Sequence, residues 1–150
     1  MGLVTGWAGG PVNLIDMEGY PFVCPIQVRW RDLDAFAHVN NATFASYLEM
    51  ARTKVFSDLF GGREAMEVPF FVTRLEINYR RSIKLYDEVR VGVRVGWIKG
   101  ASFTFEYLVE ANGEKAAEAI TTLACVDNAT GSVVRLTPSL RETLESLQVG

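Results

Sequence analysis

The stretch Asn41-Ala42-Thr43-Phe44-Ala45-Ser46-Tyr47-Leu48-Glu49-Met50-Ala51-Arg52-Thr53-Lys54-Val55-Phe56-Ser57-Asp58-Leu59-Phe60, closed by Gly61-Gly62, decides how this chain folds. Phe44, Leu48, Ala51, Val55 and Leu59 recur at steps of three and four residues, the period of a helix. Tyr47 and Phe56 widen the stripe until most of the circumference is apolar. Such a helix has to be wrapped by other elements rather than lie on a surface. Asn40 or Asn41 supplies its N-cap, and the glycine pair supplies its stop near Phe60.

Strand signals flank the helix on both sides. Before it, a strand runs within Tyr20–Arg31, with Ile26, Val28 and Trp30 on one face and Pro25 at its start or on an edge. After it come Phe70–Arg80 and a regular alternation in which Val89, Val91, Val93, Val95 and Trp97 share a face. A third run carries Phe103, Phe105, Tyr107 and Val109. Asn112-Gly113 then signals a hairpin into a fourth run, Lys115–Val126, whose alanines also permit helix. A short strand at Ser132–Leu136 and a terminal helix opened by Thr137-Pro138 and reaching about Leu147 complete the chain. One helix followed by segregated antiparallel strands reads as α+β, a single domain over residues 20–150. Residues 1–19 hold five of the thirteen glycines without periodicity and read as a loose tail.

Composition narrows the function. Fifteen Lys and Arg against eighteen Asp and Glu leave a net charge of −3, which argues against a dedicated nucleic-acid binder. No apolar run reaches the roughly 18 residues of a membrane span, and no basic start of a secretory signal precedes Arg29, so a cytoplasmic location is expected. The two cysteines, Cys24 and Cys125, have no ligand-spaced partner, and His38 is the single histidine. They read as buried thiols, with no metal or other cofactor implied.

Chemistry concentrates in Arg31-Asp32-Leu33-Asp34-Ala35-Phe36-Ala37-His38-Val39-Asn40-Asn41, between a strand end and the helix start. The first N–H groups of a helix lack intrahelical acceptors and carry the positive end of its dipole, so an oxyanion forming there is stabilised. A carboxylate facing the same spot can activate water or attack a carbonyl itself. On spacing alone, Asp32 and Asp34 both qualify, and an ordinary turn or cap role is open to each.

The motif Asp34-x-x-x-His38-Val39-Asn40-Asn41-Ala42-x-Phe44-x-x-Tyr47-x-Glu49-x-Ala51-Arg52 resembles the signature of hot-dog-fold acyl-CoA thioesterases of the hydroxybenzoyl-CoA thioesterase-like superfamily. Downstream, Asn78-Tyr79-Arg80-Arg81-Ser82 through Tyr86-Asp87-Glu88-Val89, and Ser102 to Tyr107, are similar to that family's next strands. The resemblance covers roughly residues 22–145 and implies a curved antiparallel sheet wrapped around the long helix. It implies a homodimer or homotetramer with active sites at the dimer interface. It also implies thioester hydrolysis of an acyl-CoA, with Asp34 as general base or nucleophile and the Asn41 N–H polarising the thioester carbonyl. His38, Val39 and Asn40 would shape the substrate pocket. Ala37 departs from the glycine usual before that histidine, which is awkward if the position needs positive φ. The resemblance ranks Asp32 below Asp34, and Glu49 reads as a structural partner of Arg52 at i+3.

Residues 80–99 are locally basic, with Arg80, Arg81, Lys84, Arg90, Arg94 and Lys99 against Asp87 and Glu88. Arg80, Arg81, Lys84 and Lys99, near turns, are the expected donors to coenzyme A phosphates. Arg90 and Arg94 read equally well as a solvated strand face. If the strand continued, Arg80 and Arg81 would point to opposite faces. The alternatives weighed are an acyl-carrier-protein thioesterase and a non-catalytic acyl-CoA-binding protein of the same fold.

Overall fold

A computed structural model describes residues 3–4, 12–13, 17–60 and 69–149. Strand β1 (Leu3–Val4) pairs with β2 (Val12–Asn13) in a small ribbon. The main sheet consists of β3 (Phe22–Ile26), β4 (Phe70–Tyr79), β5 (Val89–Ile98), β6 (Ser102–Ala111) and β7 (Glu114–Cys125). These run antiparallel in the order β3-β5-β6-β7-β4, so β3 and β4 are the edges. Helix α1 (Asn41–Leu59) lies between β3 and β4 in sequence, and α2 (Pro138–Glu145) follows β7. The α+β class, with one main antiparallel sheet packed on a long helix, matches the sequence reading.

Asn40 caps α1, its side-chain oxygen accepting from the Ala42 N–H at 2.8 Å. Phe44, Tyr47, Leu48, Ala51 and Val55 are buried beneath the helix against Ile26, Val91, Val93, Phe103, Phe105 and Tyr107. The expected closing residue of the stripe, Leu59, is exposed instead, as is Met50, because the sheet covers one side of α1 only. The glycine pair expected to stop the helix lies outside the described residues. The Asn112-Gly113 hairpin is formed, with φ of +55° and +79°, as a two-residue turn with positive φ at both central positions requires. The alanine-rich run 115–126 is strand, since its buried Ala117 and Ala119 face the core opposite Val109 and Tyr107.

Three expectations need correction. The first strand ends at Ile26, and a single tight turn over Trp30–Asp32 swings Trp30 into solvent, 78% exposed, away from Ile26 and Val28. In β5 the alternation breaks at a bulge between Val95 and Ile98, so Ile98 rather than Trp97 pairs opposite Phe103. Gly96 fits there because a Cβ would fall 2.4 Å from Thr104 Oγ1, the atom that accepts from the Trp97 N–H. Third, Ser132–Leu136 forms no strand, only an isolated bridge from Val133 to Val126.

The loose-tail reading of residues 1–19 falls largely outside the described residues. Of the part that is described, Met17 is buried and crosses the outer face of the sheet at Gly92.

Candidate active site

The chain leaves β3 and immediately builds a buried polar knot. Asp32, 3% exposed, accepts from the Arg29 N–H at 2.9 Å, the Arg29 guanidinium at 3.1 Å and the Tyr47 hydroxyl at 2.8 Å. Its carbonyl accepts from the Asn40 N–H at 2.8 Å. Asp32 thus ties the strand exit to the helix entry, and all its carboxylate capacity is turned inward.

Between those anchors a loop closes on itself. The Asp34 N–H donates to the His38 carbonyl at 2.7 Å, and Leu33 bridges Val39. One oxygen of the Asp34 carboxylate, Oδ1, accepts from the Phe36 N–H at 2.8 Å and the His38 N–H at 3.2 Å. The side chain is exposed, and Oδ2 accepts no hydrogen bond among the described residues. Ala37 turns the loop at φ +61°, the left-handed conformation that the missing glycine would have adopted freely. Holding alanine there costs about 1–2 kcal/mol. The Val39 N–H donates to the Ile83 carbonyl at 2.8 Å, docking the loop on the β4–β5 connection.

Asp34, His38, Val39, Asn41 and Phe44 line one side of an open cavity of about 300 Å³, with Tyr79, Arg80, Arg81 and Ser82 on the other. Asn41 is the first residue of α1, and its N–H has no intrahelical acceptor. A fixed carboxylate and the positive end of a helix therefore share one solvent-accessible space. Tyr79 completes the wall in a way sequence spacing did not single out. Its hydroxyl donates to the Asn41 carbonyl at 2.7 Å, and its ring meets Phe44 edge-on at 5.1 Å. It pins the end of β4 to the helix N-terminus, a contact across 38 residues of sequence that no local pattern announces.

The other sequence-selected residues divide. Asn40 spends its carboxamide oxygen on the helix cap and does not line the cavity. Because β4 ends at Tyr79, Arg80 and Arg81 do not alternate and instead share the cavity. Each is paired with a glutamate of β7, Arg80 with Glu118 at 2.7 Å and Arg81 with Glu114. Lys84 is exposed two residues beyond Ser82, outside the lining. Lys99 lies at the opposite end of β5, its ammonium 4.4 Å from the centre of the Trp97 ring. Arg90 and Arg94 pair with Glu110 and Glu106 across the outer face of the sheet, where all four side chains are largely covered rather than fully solvated. Glu49 is 3.9 Å from Arg52, the expected i+3 pairing. Both cysteines are free, buried thiols, and burial pushes both up from the ordinary value. No helix among the described residues is long and apolar enough to cross a membrane.

Comparison with known proteins identifies the family to which this fold belongs. Residues 28–144 match the family model for the thioesterase-like superfamily. The long-chain acyl-CoA thioesterase FadM of Escherichia coli K12 is 34% identical over 126 residues, spanning 81% of this chain and 96% of that protein. The acyl-CoA thioesterase YbgC of Haemophilus influenzae is 31% identical over 73% of this chain and 82% of its own length. A thioesterase from Thermus thermophilus, solved with coenzyme A and zinc, superposes with a TM-score of 0.81 at 41% identity, covering 88% of this chain and 97% of that one. The chain belongs to the thioesterase-like superfamily and is a hot-dog thioester hydrolase of the acyl-CoA thioesterase group.

Proposed function

We propose that the chain hydrolyses an acyl-CoA thioester in the cavity between Asp34 and the start of α1. The observation that carries this reading is the pairing there of a carboxylate, held by two backbone N–H groups with one oxygen left over, with the Asn41 N–H at the start of α1. The thioester oxygen sits against the Asn41 N–H, where the helix dipole and a preoriented donor stabilise the charge that develops on it. The free Oδ2 of Asp34 either takes a proton from water attacking the carbonyl or attacks it directly, giving an anhydride that water then opens. Thiolate is a stable leaving group, so neither route needs a strong acid. Val39 and Phe44 present the apolar wall to the acyl group, with His38 at the mouth.

Arg80 and Arg81 serve the coenzyme A phosphates. Their present partnerships do not prevent this, because half-exposed ion pairs contribute only about 0–1 kcal/mol and exchange readily. Lys84 extends the same rim. Thiol release from a panel of short, long, aliphatic and aromatic acyl-CoA esters tests the assignment. Turnover of at least one ester is the expected result, and binding without turnover across the panel overturns it in favour of a non-catalytic acyl-CoA-binding protein.

The functional unit is a homodimer joined through β4. That strand is an edge of ten residues, unpaired on one side among the described residues, with Phe71, Val72, Leu75 and Tyr79 exposed. A long apolar edge is an invitation to pair with another chain, and a second copy is the partner that satisfies it symmetrically. Sedimentation equilibrium is expected to give twice the chain mass or an even multiple of it, and a monomer at micromolar concentration removes this assembly.

A further inference from the structure

A second and larger space, about 570 Å³, opens beside the first between α1 and β4. Ala45, Ser46 and Phe56 line it from the helix and Val72 and Leu75 from the strand. Its helical lining runs from Ala45 to Phe56, 12 residues and about 16 Å along the axis, starting one residue after Phe44, the last helical residue that lines the first cavity.

Ser46, Glu49, Arg52, Thr53 and Thr121 give the groove a polar side, and Arg52 is the one cation lining it among the described residues. Arg52, its side chain 13% exposed, lines the floor. A guanidinium carries five N–H donors. Among the described residues this one makes a single hydrogen bond, to the Tyr107 hydroxyl at 3.3 Å, and stands 3.9 Å from the mostly exposed Glu49 carboxylate. Tyr107 is itself joined to the Thr121 hydroxyl at 2.7 Å. The Tyr107 oxygen accepts from Arg52, either hydroxyl of the Tyr107–Thr121 pair can donate to the other, and Thr121 also lines the groove. Burying a cation with so few acceptors is unfavourable unless something supplies oxygen atoms.

We infer that Arg52, backed by Tyr107 and Thr121, is a specificity determinant that favours acyl chains carrying a hydroxyl or oxo oxygen two to three helical turns, about 11–16 Å, from the thioester carbonyl. The inference rests on the thioesterase reading above. A neutral oxygen fits better than a terminal carboxylate, because Glu49 stands beside the guanidinium and repels a second anion. The hydroxyl accepts from Arg52 and donates toward Glu49, whereas an unsubstituted chain offers no acceptor to the guanidinium N–H groups that Tyr107 does not use.

The test compares kcat/KM for dodecanoyl-CoA, its terminal hydroxy derivative and the corresponding dicarboxylic half-thioester, in wild type and in Arg52→Met. Wild type is expected to prefer the hydroxy ester over the plain one by at least about tenfold, mostly through KM. The dicarboxylic ester is expected to rank below the hydroxy ester. Arg52→Met, which keeps the length and loses the donors, is expected to bring the ratio of kcat/KM for the hydroxy ester to that for dodecanoyl-CoA down to about one. Thr121→Val provides the second reading if Arg52→Met does not fold, and is expected to weaken the same preference. Equal rates for the plain and hydroxy esters in wild type, as when a partner chain fills the groove, overturn the inference. So does a preference that survives both substitutions. Calorimetric binding of free dodecanoate and its hydroxy derivative to the same proteins keeps the test separate from catalysis. If no ester turns over but the hydroxy acid binds tighter to wild type alone, the thioesterase reading fails and the Arg52 site stands.

Discussion

Asp34→Asn is expected to lower kcat/KM for the best acyl-CoA ester by at least about 100-fold while leaving the thermal midpoint unchanged. Positioned general bases contribute about 10²–10⁴-fold, and a displaced nucleophile removes its route altogether. The fold should not notice, because the exposed Asp34 carboxylate is used structurally only through Oδ1, which accepts from Phe36 and His38. A carboxamide oxygen accepts those two bonds equally well. The substituted side chain keeps the loop and loses the negative charge, which separates chemistry from architecture. A loss confined to KM would instead mean that Asp34 merely helps bind substrate. A single turnover of wild type in heavy-oxygen water that labels the Asp34 carboxylate establishes direct attack, with the anhydride opened at the aspartyl carbonyl, because activation of water labels only the released acid.

The two aspartates show how far the sequence could be read. Asp32 and Asp34 are equivalent as residue types at a strand-to-helix junction, and spacing alone does not rank them. What separates them is a hydroxyl 15 residues away, that of Tyr47, which reaches back from α1 and consumes the Asp32 carboxylate. The resemblance ranks Asp32 lower, but the physical reason that Asp32 is turned inward is tertiary. Local signals fared well wherever the deciding forces are local. The Asn112-Gly113 turn, the Thr137-Pro138 helix start and the apolar period of α1 each depend on neighbours within a few residues. The pattern failed where distant groups intervene. Trp30 leaves the buried face because Arg29 folds back onto Asp32, and Trp97 leaves it because Gly96 fits under Thr104 in a bulge. Tyr79 as a wall of the site and Arg52 as the floor of the groove depend on contacts spanning 38 and 55 residues, to Asn41 and Tyr107. Charge counting was least informative. The excess of cations in residues 80–99 is largely neutralised by Glu106, Glu110, Glu114 and Glu118 on β6 and β7, and Arg80 and Arg81 alone of the basic residues chosen there line the site.

Asp32→Ala is expected to have the opposite signature, a loss of stability of about 3 kcal/mol. The Tyr47 hydroxyl is left buried without an acceptor, which costs about 1–3 kcal/mol. The turn at Trp30–Asp32 also loses the carboxylate that accepted from the Arg29 N–H, a loss comparable to removing a cap at about 0.5–2 kcal/mol. Against a usual total of about 5–15 kcal/mol, this is a large fraction. Tyr47→Phe, which leaves Asp32 its two bonds from Arg29, should cost less than Asp32→Ala in the same denaturant titration. The pH dependence follows from the same contacts. Burial pushes the Asp32 carboxyl up, but the Arg29 N–H, the Tyr47 hydroxyl and the Arg29 guanidinium together outweigh it and hold the group below its ordinary value. A carboxyl depressed in the folded state binds a proton more readily once unfolded. Its contribution is therefore complete above the ordinary carboxylate range and disappears as pH falls through the folded value. Tyr47 is shifted the other way, raised by burial and by its bond to Asp32, so its contribution holds below the ordinary tyrosine range and is lost as pH climbs past it. Wild type should accordingly lose stability at both extremes. Asp32→Ala should show a shallower acid limb, because the carboxyl that titrates there is gone. An acid limb equally steep in both proteins would place the acid sensitivity in other carboxylates and reduce Asp32 to a packing residue.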